Sequence, residues 1–76
     1  MKNMEDIRNL YMNIYGNTLR SIIEDLDAQL ILHENSRVYN DKELKFMKDS
    51  ILIACEIYNE YNHSNDMYEI MIKYSS

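Results

Sequence analysis

Apolar side chains return every three or four positions along the first half of the chain, at Ile7, Tyr11, Ile14, Tyr15, Leu19, Ile22, Leu26 and Leu30. That spacing places them on one helical face and predicts a single helix from about residue 4 to 33. The series 11, 15, 19 recurs as 22, 26, 30, a shift of eleven positions that suits a straight or slightly right-handed helix. Gly16 followed by Asn17 is the weak point, because glycine costs about 1 kcal/mol against alanine inside a helix. The apolar face runs through that point, so continuity is the expectation.

HENSR, residues 33–37, reads as a turn. A second helix then has three start signals. Asn40 can cap, Glu43 can complete a capping box, and Tyr39 and Leu44 are placed for a hydrophobic staple. Periodicity carries this helix from about 40 to 62. NHSND, residues 62–66, concentrates side chains that compete with helical backbone bonds and favour caps and turns. Beyond it Met67, Ile70, Met71 and Tyr74 predict a short third helix at about 65–74, with Ser64 or Asp66 as cap.

The second helix carries more apolar surface than one neighbour can bury. Leu44, Met47, Ile51, Cys55 and Tyr58 form one stripe; Phe46, Ile53, Ile57 and Tyr61 form another, and Leu52 lies off to a further side. A helix apolar around most of its circumference is buried by several neighbours. The first helix covers one stripe as the antiparallel arm of a hairpin. The third helix, a second copy of the chain or a different protein must cover the rest. At 1.5 Å per residue, an unbroken first helix of about 45 Å would overhang a second helix of about 33 Å. The expected fold is therefore all-α and single-domain over residues 1–76: an antiparallel hairpin plus a short third helix, as a three-helix bundle or a dimeric helical bundle. A homodimer answers both excesses.

Composition narrows the function. With no proline and one glycine among 76 residues, the chain favours helix throughout. Cys55 is its only cysteine, which excludes an internal disulfide and points to a reducing, cytoplasmic setting. MKNMEDIRN has no signal-peptide character, and the longest apolar run, Ile51 to Cys55, is far short of a membrane span. Thirteen acids against eight bases give a formal charge of −5, with the densest bases at Lys42, Lys45 and Lys48. That balance disfavours direct nucleic-acid binding, which rests on Lys and Arg neutralising phosphates. Abundant Asn, Ile, Tyr and Lys imply AT-rich codons, as in a low-GC bacterium or its phages and mobile elements.

Candidate chemistry is sparse. Glu60 and His63 have the spacing of one carboxylate–histidine metal pair, but a di-iron bundle needs more glutamates and a second such pair. They are expected to be a helix junction, with no metal or cofactor. Cys55 lies mid-stripe without the electropositive setting that activates a thiol. No glycine-rich phosphate loop or serine–histidine–acid set can be assembled, so a non-enzymatic protein is expected.

Two functional readings follow. The first is a small acidic interaction module that binds and regulates or inhibits another protein, with Phe46, Ile53, Ile57, Tyr61, Met67, Tyr68, Met71 and Tyr74 at the partner or dimer interface. Tyr and Met suit that role. The second is an acidic decoy encoded by a phage or mobile element, presenting Glu24, Asp25, Asp27 and Glu34 to a nucleic-acid-binding host complex.

Overall fold

The computed structural model describes residues 4–14, 16–33 and 38–75. They form four α-helices and no strand: α1 Met4–Met12, α2 Gly16–His33, α3 Asp41–Asn62 and α4 Tyr68–Ser75. The predicted first helix is thus corrected to two. α1 ends in tight i→i−3 bonds, Asn13 N–H to the Leu10 carbonyl at 3.2 Å and Ile14 N–H to the Tyr11 carbonyl at 3.0 Å. The Asn13 side-chain amide also donates to the Asn9 carbonyl at 2.8 Å, a local bond that competes with helix continuation. α2 restarts at Gly16. Tyr15 lies outside the described residues, as does the predicted turn from Glu34 to Arg37.

The break costs a few helical hydrogen bonds and gains a second packing direction. Ile7 and Tyr11 of α1 are buried in the same core as Leu19, Ile23 and Leu30 of α2 and Ile51, Ala54, Cys55, Ile57 and Tyr58 of α3. Burying one such side chain contributes roughly 1.5–3 kcal/mol, enough to offset the local cost at Gly16. The longest dimension of the molecule is 36 Å. That accommodates α3, about 33 Å long, and excludes an unbroken first helix of about 45 Å.

α3 is the central element, packed by each of the other three helices. At about 100° per residue, its two apolar stripes are centred about 125° apart, and Leu52 and Asn59 lie on a third side. α1 takes the second stripe. The Tyr11 hydroxyl and Ser50 Oγ share a buried hydrogen bond of 2.7 Å, and Arg8 reaches Glu56 at 3.4 Å. α4 takes the third side, where Asn59 meets Met67 and Met71. The apolar excess of α3 is covered along its middle, at Ile57 and in part at Ile53, while Phe46 and Tyr61 at the ends of the second stripe stay exposed.

The start of α3 is as predicted. Asn40 Oδ1 accepts from the Glu43 N–H at 2.8 Å, and Glu43 Oε1 accepts from the Asn40 N–H at 3.2 Å, a complete capping box. Tyr39, expected to staple Leu44, stands edge-on to His33 with ring centroids 5.3 Å apart. α3 closes at His63, which is left-handed at φ 48°. Its N–H donates to the Glu60 carbonyl at 3.4 Å, and that of Ser64 to the Asn59 carbonyl at 3.1 Å, the bonding of a helix C-terminus that usually employs glycine. The third predicted helix, at 65–74, is observed as α4 from Tyr68 to Ser75. At its entrance the Met67 N–H is taken by Asn59 Oδ1 of α3 at 3.2 Å.

Candidate functional site

The residues expected at an interface fall into three groups. Ile57 and Met67 are core, 2 % and 3 % exposed within the single chain. Ile53, Met71 and Tyr74 are half-buried against that core. Phe46, Tyr61 and Tyr68 are exposed. Phe46 and Tyr61 are the two ends of the second stripe of α3. At one end the Tyr61 hydroxyl donates to the Met12 carbonyl at 3.2 Å, beside a depression of about 280 Å³ lined also by Arg8, Ile57 and Glu60.

At the other end lies an apolar concavity. Tyr39, Lys42, Glu43, Phe46 and Met47 line a shelf of about 440 Å³ at the start of α3. Ile31 and Leu32 at the end of α2 and Val38 before α3 are more than half exposed at the same end of the hairpin. The sequence reading included Phe46 but not Ile31, Leu32 or Val38. Leu32 could have been found, since it lies about 160° round α2 from Leu30 and so off the core face.

The acidic group separates in the same way. Glu24 and Asp25 are exposed on α2, and Glu24 accepts from Arg20 at 3.2 Å. Asp27 is withdrawn from that face, with 21 % of its side chain exposed and Lys73 Nζ at 2.9 Å from Oδ1. The Tyr74 hydroxyl donates to the same oxygen. Burial alone would raise the Asp27 carboxyl, but the Lys73 ammonium and Tyr74 hydroxyl outweigh it and hold it below the ordinary value. Asp27, Lys73 and Tyr74 clasp α4 to α2. Glu34 lies outside the described residues.

Cys55 is fully buried. Burial, with a smaller contribution from the Asp27 charge, pushes its thiol up to about 12, so it is a protonated packing group at neutral pH. Glu60 and His63 are both exposed at the end of α3. Among the described residues no three His, Cys, Asp or Glu side chains are grouped to hold a metal. None of the helices is long and apolar enough to cross a membrane.

Fold and surface together define a small all-α protein built around one central helix. No protein-family model, curated protein or solved structure matches the chain.

Proposed function

We propose that this chain is a non-enzymatic helical interaction module that binds and regulates another protein through the shelf at the start of α3. The observation that carries the reading is the apolar concavity around Phe46, with Ile31, Leu32 and Val38 exposed at the same end of the hairpin, on a chain of net charge −5. Apolar side chains around an aromatic anchor with charged Lys42 and Glu43 at the edge resemble the anatomy of a protein interface, with an apolar centre and a polar rim. Exposed large apolar residues scattered singly need no explanation, whereas several at one end of a hairpin do.

A photo-crosslinking side chain at position 46 tests it. The expected result is one protein captured from a cytoplasmic extract at position 46 and not at exposed Asn17, with capture lost in Leu32→Asp. Equal capture at both positions would contradict the shelf. The acidic-decoy reading rests on the exposed pair Glu24 and Asp25. It differs in requiring steep weakening with salt, and loss of capture on Glu24→Lys with Asp25→Lys.

A further inference from the structure

α4 is held differently from the other helices. None of its residues is fully buried, and Ile70, Met71 and Tyr74 lie half-buried against the core. It is tied to α2 by the Asp27 clasp and to α3 by Asn59, whose oxygen takes the Met67 N–H and whose amide donates to Met71 Sδ at 3.4 Å. The link from α3 holds the one non-glycine residue with positive φ among those described, His63. A left-handed histidine costs about 1 kcal/mol or more. Next to it, Ser64 Oγ is shut away from water with no hydrogen-bond partner, a further local cost. Opening this link would relieve both.

Beneath α4 is a site with defined requirements. Asp27 demands a cation and a hydroxyl, and Asn59 a free backbone N–H at a helix entrance. The face of α3 around Leu52 demands apolar side chains at helical spacing. Past the end of α4 the groove continues as a hollow of about 470 Å³ between Leu44, Lys48, Leu52 and Tyr74.

We propose that this groove between α2 and α3 is an exchange site whose second occupant is α4 of another copy of the chain, giving a reciprocally swapped dimer. A second copy satisfies every requirement by identity. Met67, Met71, Lys73 and Tyr74 would make between chains the contacts they make within one, while the strained link is released. Exchange of an identical element is a low-cost route to a dimer. The site is on a different side of α3 from the Phe46 shelf, so either assignment can fail without the other.

Asp27→Lys and Lys73→Asp, made as separate full-length variants, provide the test. Each places like charges across its own clasp, whereas a mixture restores both clasps only between chains. After refolding together, the mixture is expected to dimerise at a concentration at least ~10-fold below that of the wild type, about 1.4 kcal/mol. Each variant alone, and the double variant carrying both changes in one chain, should gain no such advantage. Light scattering of the mixture as monomer throughout would overturn the proposal. So would a monomeric mixture whose groove captures a helix of a different protein. If the charge variants fold poorly, wild-type chains with two different isotope labels, refolded together at high concentration, answer the same question. Contacts between Tyr74 of one label and Asp27 of the other are expected, and contacts within one label only would overturn it.

Discussion

α1 and α4 both cover α3, and they do so to different depths. α1 buries Ile7 and Tyr11, each 7 % exposed, and closes a buried hydrogen bond to Ser50. α4 has no fully buried residue: Ile70, Met71 and Tyr74 lie half-buried against the core, and a partly exposed ion pair, a phenol and one asparagine add polar ties. Apolar burial is lost only when the fold opens, whereas polar ties can be exchanged for water or for another chain. The proposed exchange of α4 draws on that difference.

Four predictions break or sharpen that comparison. The largest effect is expected at the core shared by every helix: Ile51→Ala or Ile23→Ala should cost about 2–5 kcal/mol in denaturant unfolding. For a chain this small that is a large share of the total stability. Next, Tyr11→Phe leaves buried Ser50 without its partner and should cost about 1–2 kcal/mol globally. Adding Ser50→Ala should recover part of this, since a pair loses less than an orphan.

Asp27→Asn should cost less, about 1 kcal/mol, because the clasp is partly exposed. Its effect should be local: faster amide exchange in α4 with little change in α2. The Asp27 carboxyl lies below its usual 3.8 in the folded chain. Its stabilisation is therefore fully present above that value and lost as pH falls through the lower folded pKa. Asp27→Asn should flatten stability against pH below about pH 4. The smallest effect is a gain. His63→Gly should stabilise the closed chain by about 0.5–1 kcal/mol, because glycine adopts φ 48° without penalty. It should also disfavour exchange of α4.

Local chemistry was legible where it was self-contained. Asn40 and Glu43 announced the start of α3, and NHSND announced its end, because caps and turns depend on a few adjacent residues. The stripes at Ile51 and Ile57 correctly implied several neighbours for α3. The identity of those neighbours was not legible. The apolar face of residues 7–30 runs unbroken through Gly16, and the local cost there is small. Only the burial gained by folding α1 back onto Ser50 and Ile57 decides for a break, and that gain exists only in three dimensions. Asn59 gave no signal, since a polar residue on a flank of α3 reads as solvated surface. Asp27 read as one more acid beside Glu24 and Asp25. Its place one turn from Ile23 was the available clue that it borders the core.

Native-state hydrogen exchange on the wild-type chain at low concentration is the most direct test of the contrast between the two coverings. The account predicts that amides of α1, α2 and α3 in contact with the core exchange through global unfolding, with a shared free energy. Those of α4 should exchange earlier, through a smaller opening that widens below about pH 4 as Asp27 is protonated. Protection of α4 equal to that of α3, or loss of α1 before α4, would contradict it.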